Sequence, residues 1–213
     1  MVEFICCLGT SSREHVAFAR YCASRVFGCY FLVVAGNRTP KSEFSVLFLG
    51  LNGAGKSTLL AAAAGEDTNN IQATTGFAIK VILRPKAILN MKELGGSANI
   101  RPHWNKYYTP HSAVVFLIDS AGTMESINES KAQLKECLSD AEFNKLPILV
   151  VCNKQDLPYA RKQQEIVNLF ELESMLHNKP HLVTSCSVED VEPFKNSLDA
   201  LVGLILASTT PGV

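Results

Sequence analysis

Short apolar segments alternate with longer stretches of helical periodicity from residue 44 onward. The apolar segments lie at 44–49, 113–118, 147–152 and 181–184. Strands with no polar alternation are typical of a parallel sheet that is covered on both faces. Helix-length stretches with apolar spacing lie near 57–64, 125–143, 158–177 and after Pro193. The pattern predicts an α/β fold with helices on both faces of a mostly parallel sheet.

Two further β-like segments, 76–84 and 87–94, are separated only by Pro85 and Lys86. Parallel neighbours need a crossover of a dozen residues or more, so a two-residue connection predicts an antiparallel hairpin. We place this hairpin at the edge of the sheet, which brings the predicted number of strands to six.

The first 43 residues differ from the rest. Ser11 and Glu14 form a capping-box pattern that predicts the start of a helix. The apolar stripe that follows at helical spacing is Val16, Ala19, Cys22, Ala23, Val26, Phe27 and Tyr30. We predict an amphipathic membrane-associating or docking segment with its linker at 1–43, one domain at 44–207 and a short tail at 208–213.

Composition excludes several classes of protein. Twenty basic residues balance twenty acidic ones. The chain therefore has no overall positive charge of the kind that attracts nucleic acid, and we predict no nucleic-acid partner. The seven cysteines form no CxxC pair, which favours reduced thiols in the cytoplasm over a disulfide framework or a zinc site. The apolar run at 26–35 is too short to cross a bilayer. It could serve as the apolar part of a signal peptide, but the nucleotide motif that follows favours a cytoplasmic protein.

A phosphate-binding motif follows the first predicted strand. Gly50-Leu-Asn-Gly-Ala-Gly55-Lys56-Ser57 matches GxxxxGKS/T between a strand and a helix. Backbone N–H groups of such a loop point at phosphate oxygens, Lys56 neutralises the β- and γ-phosphates, and the Ser57 hydroxyl binds Mg²⁺. The predicted phosphate-binding residues are Asn52, Gly53, Ala54, Gly55, Lys56, Ser57 and Thr58.

A second motif indicates which base is bound. Asn153-Lys154-Gln155-Asp156 directly follows a buried strand, where α/β sheets bind ligands. A carboxylate at Asp156 accepts hydrogen bonds from N1–H and the exocyclic amine of guanine, and adenine offers no such pair of donors. An unpaired buried carboxylate would penalise adenine by a few kcal/mol. The sequence therefore predicts GTP and GDP as ligands, bound through Asn153, Lys154 and Asp156.

Two loops around the hairpin complete the predicted site. Thr74 can offer its hydroxyl to Mg²⁺ when a γ-phosphate is present, and the adjacent Thr75 is the alternative. Glu93 would reach the metal through a water, and the Gly96 N–H would reach the γ-phosphate. Loss of these contacts after hydrolysis would release both loops, which is how nucleotide switches work.

These motifs together resemble the ADP-ribosylation factor (Arf) family of small GTPases over roughly residues 44 to 207. Thr74-Thr75-Gly76-Phe77 is similar to the family's switch I, and Gly95-Gly96 with Ile100-Arg101-Pro102-His103-Trp104 is similar to its switch II. The resemblance implies the P-loop small-GTPase fold. It also implies that Ser185 and Cys186 lie in the purine-contacting loop.

The chain departs from the family's pattern in switch II. The family's aspartate is Glu93 here, its tryptophan is Lys92, and its catalytic glutamine is Ser97. The glutamine orients the attacking water, and serine is too short to reach the same water. Candidate catalytic residues are therefore Lys56 and, only weakly, Ser97. We predict slow GTP hydrolysis and a long-lived GTP state.

The resemblance also implies partners. Arf relatives present an aromatic patch to effector proteins, and the corresponding residues here are Phe77, Lys92, Trp104 and Tyr107. These aromatic residues could instead pack the hairpin against switch II. Exchange and activating proteins would control the cycle. Similarity to a divergent branch of the family implies magnesium-transport regulators as partners, and signalling or trafficking at Golgi or endosomal membranes, with the plasma membrane as an alternative.

The N-terminus also departs from the family. Many Arf proteins carry a myristoylated glycine after Met1, where this chain has Val2. Four cysteines near or within the apolar helix could be palmitoylated instead: Cys6, Cys7, Cys22 and Cys29. Two acyl chains, or one with an amphipathic helix, suffice for stable peripheral attachment to a membrane surface. The alternative is a helix packed on the domain, with the cysteines as small apolar residues.

Three classes of function fit these features. The first is a regulatory GTPase switch, and the second is a GTP-bound adaptor that scarcely hydrolyses its nucleotide, which Ser97 favours. The third is a P-loop kinase, which would not need Asn153 to Asp156 and would carry an arginine-rich lid that the sequence does not show.

Overall fold

The computed structural model describes residues 41–108 and 110–209. The predicted N-terminal helix and its four candidate acylation sites lie outside these residues, as do the last residues of the tail. In the described part of the chain, none of the helices is both long and apolar enough to cross a membrane.

A six-stranded sheet forms the centre of the described structure, with the strand order β2-β3-β1-β4-β5-β6. The strands are β1 (Ser42–Gly50), β2 (Phe77–Leu83), β3 (Ala87–Leu94), β4 (Ala113–Asp119), β5 (Ile148–Asn153) and β6 (His181–Ser185). Strand β2 pairs antiparallel with β3, and the other neighbouring pairs are parallel. The predicted mostly parallel sheet with an antiparallel hairpin at its edge is confirmed.

Helices cover both faces of this sheet. They are α1 (Lys56–Ala64), α2 (Met124–Ser139), α3 (Gln163–Phe170), α4 (Leu172–Met175) and α5 (Glu192–Thr209), with 3₁₀ helices at Arg101–Tyr107 and Ala141–Asn144. One core packs α1 and α5 against the sheet through residues such as Leu59 and Leu198. The other packs α2 and α3 against the opposite face through Leu134 and Phe170. Alternate residues of β1 enter different cores, so the unbroken apolar runs reflect burial on both faces.

The structure corrects two predicted helices. The helix predicted over 158–177 begins only at Gln163 and is interrupted at Glu171, whose φ of 56° is left-handed. The helix predicted over 125–143 ends at Ser139, because Asp140 is extended and its carboxylate accepts a hydrogen bond from the Glu142 N–H. A new 3₁₀ turn starts there.

Among the described residues, no strand pairs with the outer edge of β2. Four alternating apolar residues along it are exposed: Phe77, Ile79, Val81 and Leu83. The carboxyl ends of the five parallel strands meet at the opposite end of the sheet from the β2–β3 turn. The loops that follow these strands carry the predicted site residues, as expected for an α/β sheet.

Candidate functional site

The loop between β1 and α1 has the backbone of a phosphate cradle. Gly53 and Gly55 have φ values of 76° and 92°, a region that side chains disfavour. A Cβ at residue 55 would lie 2.6 Å from Asn153 Nδ2, so glycine is required on steric grounds as well. The loop therefore curls tightly and ends at the first turn of α1, where backbone N–H groups are free to bind an anion.

Lys56 lies inside the curl of this loop. Its side chain is 6% exposed, and Nζ donates to Gly50 O at 3.0 Å and Leu51 O at 2.9 Å. Burial lowers the pKa of Lys56 to about 8, partly opposed by the negative charge of Glu93. The structure thus holds a desolvated ammonium group beside the cradle.

A cavity of about 230 Å³ opens in front of the loop. Its lining is Asn52, Gly53, Gly55, Lys56, Ser57, Thr58, Ile71, Gln72, Ala73, Thr74, Glu93, Gly95 and Gly96. The predicted phosphate and metal residues come together here, except that Ala54 is buried beneath the loop. The sequence interpretation missed Ile71, Gln72 and Ala73. The one sequence feature that could have placed them in the site is their position just before Thr74.

Three oxygen-bearing side chains meet at one side of this cavity. Ser57 Oγ donates to Glu93 Oε1 at 2.6 Å, and Thr74 Oγ1 donates to the same atom at 3.2 Å. The two hydroxyl oxygens are 3.2 Å apart. Two hydroxyls and a carboxylate are hard oxygen ligands of the kind that Mg²⁺ prefers, so the residues fit the metal that the family implies.

The Gly95-Gly96 turn packs directly on the phosphate loop. Asn52 N donates to Gly96 O at 3.0 Å, and a Cβ at residue 96 would lie 2.3 Å from Gly50 O. Trp104 is 1% exposed, and its Nε1 donates to Gly95 O at 2.9 Å. Trp104 therefore does not belong to an exposed effector-binding patch, and the alternative, packing within the protein, is the one that the structure supports. Its indole packs in the core and positions the turn.

Phe77, Lys92 and Tyr107 form a surface cluster beside this turn. The two aromatic rings have centroids 5.7 Å apart, and Lys92 Nζ lies 5.3 Å from the Phe77 ring and 4.8 Å from the Tyr107 ring. Cation–π contacts hold the ammonium over both rings. Phe77 is half exposed, so this part of the predicted patch reaches the surface.

The predicted base-recognition motif contacts the phosphate loop through Asn153. This side chain is fully buried, and Nδ2 donates to Ala54 O at 2.8 Å. Lys154 pairs with Asp119 at 2.6 Å, a contact that the sequence interpretation did not foresee. One amide side chain therefore fixes the spacing between the two loops.

A second cavity of about 540 Å³ lies beside this motif. Its lining is Gln155, Asp156, Ser185, Cys186, Ser187, Glu189, Asp190 and Pro193. The predicted base-binding residues Asp156, Ser185 and Cys186 thus share one cavity. Burial raises the pKa of Cys186 to about 12, so its thiol stays neutral.

Ser97 follows the glycine turn but is absent from the lining of the first cavity. Its carbonyl accepts from the Ile100 and Arg101 N–H groups, which starts the 3₁₀ helix. Its short side chain is half-buried.

Comparisons with known proteins identify the family of this chain. The profile of the ADP-ribosylation factor family matches residues 31–205. ADP-ribosylation factor-like protein 15 of Mus musculus is 37% identical over 174 residues, covering 82% of this chain and 85% of that protein. ADP-ribosylation factor-like protein 3 of Chlamydomonas reinhardtii is 34% identical over 167 residues, covering 78% of this chain and 93% of that protein.

Solved structures show the same fold. The small GTPase Arl6 from Trypanosoma brucei, solved with the nucleotide analogue GppNp, has a TM-score of 0.72 at 19% identity and covers 79% of this chain and 100% of its own. The mammalian SRP receptor has a TM-score of 0.66 at 22% identity, covering 74% of this chain and 99% of its own. The described domain has the P-loop small-GTPase fold, and the chain belongs to the ADP-ribosylation factor (Arf) family.

Proposed function

We propose that this chain is a GTP-binding molecular switch that holds its nucleotide with Mg²⁺. The contact of Asn153 with the phosphate loop is the observation that carries the proposal. It ties a phosphate cradle and a base-binding cavity into one unit, at a spacing set by a buried hydrogen bond. Neither loop alone would distinguish a nucleotide from any other phosphate.

The roles of the site residues follow from their positions. Residues 52–58 bind the phosphates, with Lys56 as the neutralising cation, and Asp156, Ser185 and Cys186 contact the base. Asn153 and Lys154 hold the base loop in place. Ser57, Thr74 and Glu93 would hold the Mg²⁺, which neutralises phosphate charge when bound.

The switch itself depends on the two loops that line the phosphate cavity. Thr74 precedes β2 and Gly96 follows β3, so both reach this cavity from the open end of the β2–β3 hairpin. The hairpin contributes Phe77 and Lys92 to the surface cluster with Tyr107. A γ-phosphate that orders these loops would also order the cluster. The cluster, with Lys92 in place of the family's tryptophan, is where we expect effector proteins to bind.

Hydrolysis of GTP by this protein is slow in this proposal. The glutamine that orients water in Arf relatives is replaced by Ser97, which does not line the phosphate cavity. The same observation favours a second candidate function, a GTP-bound adaptor that scarcely turns over and regulates a membrane protein. Multiple-turnover measurements separate the two, because an adaptor releases no phosphate beyond its first bound nucleotide.

Peripheral membrane attachment through the N-terminal segment is part of the proposal. It rests on the apolar stripe and the cysteines at positions 6, 7, 22 and 29. Golgi or endosomal membranes, or alternatively the plasma membrane, are the proposed place of action, and exchange and activating proteins and magnesium-transport regulators are the proposed partners.

Titration calorimetry in magnesium buffer tests the central proposal. We expect saturable heat with GDP and GTP and none with ATP at the same concentration. Asp156→Asn should weaken GTP binding roughly a hundredfold and favour xanthosine nucleotides, because the amide offers a donor where guanine also has one. Asp190→Asn is the matched control, since it removes a charge from the same cavity. Binding of ATP in preference to GTP contradicts the proposal.

A further inference from the structure

We propose that Asp119 is a positioning residue for the guanine nucleotide, which acts through Lys154 to slow the release of GDP and GTP. The inference rests on the proposed function and deepens it, because Asp119 lines neither of the two cavities. It follows from an ion pair between two loops, from the path of the Lys154 side chain and from a second set of contacts between the same loops.

The ion pair joins the ends of two neighbouring parallel strands. Asp119 is the last residue of β4, and Lys154 directly follows Asn153, the last residue of β5. Lys154 Nζ donates to Asp119 Oδ2 at 2.6 Å, and the two side chains are only 30% and 22% exposed. A charged hydrogen bond that is largely shielded from water holds a side chain more firmly than a pair at the open surface. The far end of the Lys154 side chain is therefore fixed by Asp119.

The Lys154 side chain runs past the phosphate loop. A Cβ built at Gly55 would lie 4.0 Å from Lys154 Cε. The two residues that follow Lys154, Gln155 and Asp156, line the base cavity. Lys154 therefore lies between the phosphate loop and the base cavity, and a nucleotide bound to both would pass close to its side chain.

The backbone at Lys154 is held in a conformation that it would not adopt by itself. Its φ of 65° is in the left-handed region, which residues other than glycine disfavour. Such conformations persist at ligand-binding sites because the surrounding contacts impose them. The ion pair with Asp119 is one such contact, and the hydrogen bond from Gln155 N to Cys186 O at 3.2 Å is another.

Arg161 connects the same two loops at a second place. Its backbone N–H donates to Ser120 O at 2.9 Å, and its Nη1 donates to Gly122 O at 2.6 Å. The loop that follows Asp119 is therefore anchored without the ion pair. Loss of the charge on Asp119 should free the Lys154 side chain and leave this loop in place.

Release of a fluorescent GDP analogue, chased with excess GDP, tests the assignment. Asp119→Asn keeps the size of the side chain and the acceptor for the Ala121 N–H, but it removes the charge that holds Lys154. We expect this variant to release the analogue roughly tenfold faster than the natural protein. Asp140→Asn is the matched control and should leave the rate unchanged. The Asp140 carboxylate likewise accepts from the N–H two residues ahead, and no ion pair among the described residues includes it.

A double-mutant cycle separates the positioning of Lys154 from a purely structural role of Asp119. If Asp119 acts through the lysine, Asp119→Asn should add no acceleration once Lys154→Met has removed the ammonium group. Equal acceleration in the natural and the Lys154→Met backgrounds overturns the inference, and so does the absence of acceleration in the natural background.

A second pair of variants tests the charge if Asp119→Asn does not fold. Asp119→Glu and Asp119→Gln have side chains of equal size, and only the first can form an ion pair with Lys154. We expect Asp119→Glu to release the analogue at least threefold more slowly than Asp119→Gln, and equal rates overturn the inference. Each of these negative results, obtained with protein that binds the analogue, leaves the proposed function intact. Absence of guanine-nucleotide binding in the calorimetry removes the proposed function and this inference together.

Discussion

Lys56 carries its positive charge at a cost, because burial removes the ammonium group from water. Its pKa of about 8 in the folded protein lies below the ordinary value of 10.5. Below pH 8 both the folded and the unfolded states are protonated. Between pH 8 and 10.5 the folded state releases this proton first, so Lys56 makes stability rise with pH in that window.

Phosphate binding should raise the pKa of Lys56 again, because a polyphosphate stabilises the charged form of its side chain. We expect GTP binding at pH 8.5 to take up protons, and to take up few at pH 7. Calorimetry in buffers of different ionisation enthalpy measures the uptake. Lys56→Arg stays protonated throughout and controls for protons exchanged by the nucleotide. Equal proton uptake by this variant and the natural protein would show that Lys56 is not the group that takes up the proton.

If hydrolysis is slow as proposed, Ser97 is the residue at which we expect a substitution to raise its rate. Ser97→Gln should raise the single-turnover rate of GTP hydrolysis on the order of ten- to a hundredfold, because the longer amide can orient the attacking water. Ala98→Gln places the same side chain at the next, exposed position and should leave the rate unchanged. A natural protein that hydrolyses GTP as fast as Ser97→Gln contradicts this explanation of slow turnover.

Single residues also show where sequence reasoning ends. The motifs predicted that Ser57, Thr74 and Glu93 would meet, and the structure brings them together. Whether Trp104 faced a partner or the core could not be decided, because an aromatic residue suits both places. The structure decides between them, because Trp104 Nε1 donates a hydrogen bond to Gly95 O. This contact depends on how the 3₁₀ helix at Arg101–Tyr107 packs.

At the scale of elements, an ion pair ties the hairpin to the last helix. Arg84, at the end of β2, donates two hydrogen bonds to Asp199 of α5, at 2.8 and 2.6 Å. These contacts hold the pKa of Asp199 below its ordinary value. The stabilisation is therefore present at neutral pH and is lost as the pH falls below the usual range for aspartate.

Removal of this ion pair should loosen the tip of the hairpin. We expect Asp199→Asn to cost about 1 kcal/mol, a modest value because Asp199 is partly exposed to solvent, and to speed amide exchange around residues 84–87. Hydrogen-exchange mass spectrometry checks this expectation. Glu129→Gln breaks the similarly exposed pair with Arg101 and serves as control. Unchanged exchange at the hairpin in Asp199→Asn would show that the pair does not restrain it.

Elements differ in how well their sequences predict them. The strands and the hairpin were predicted because apolar runs and a two-residue connection leave few alternatives. The break between α3 and α4 was missed, because Glu171 adopts a left-handed conformation that no glycine or proline announces. Tertiary packing imposes that conformation, so a local pattern does not contain it.

At the scale of the whole molecule, the site joins segments that are distant in the chain, such as Ala54 and Asn153, which lie 99 residues apart. The sequence predicted this meeting, because parallel strands bring their carboxyl ends to one edge. It could not predict the Asp119–Lys154 ion pair or the lining by Gln72, which depend on loop conformation.

Membrane attachment is a prediction that concerns the whole chain. We expect the full-length protein to fractionate with membranes and to be released by hydroxylamine, which cleaves thioester-linked acyl chains. Replacing Cys6, Cys7, Cys22 and Cys29 together by serine should abolish the attachment. Cys137→Ser changes a cysteine buried in the described domain and is the control. Membrane binding that survives both hydroxylamine and the four substitutions excludes acylation as the anchor.

The Asn153 amide has one more consequence, for fragments of a nucleotide. Because it fixes how far apart the two recognition loops stand, guanosine or pyrophosphate alone would engage only half of a rigid frame. A nucleotide that binds both loops loses its translational and rotational freedom only once. Its affinity therefore far exceeds that of guanosine or pyrophosphate alone. Cellular pyrophosphate and free nucleosides would therefore be poor competitors for this protein.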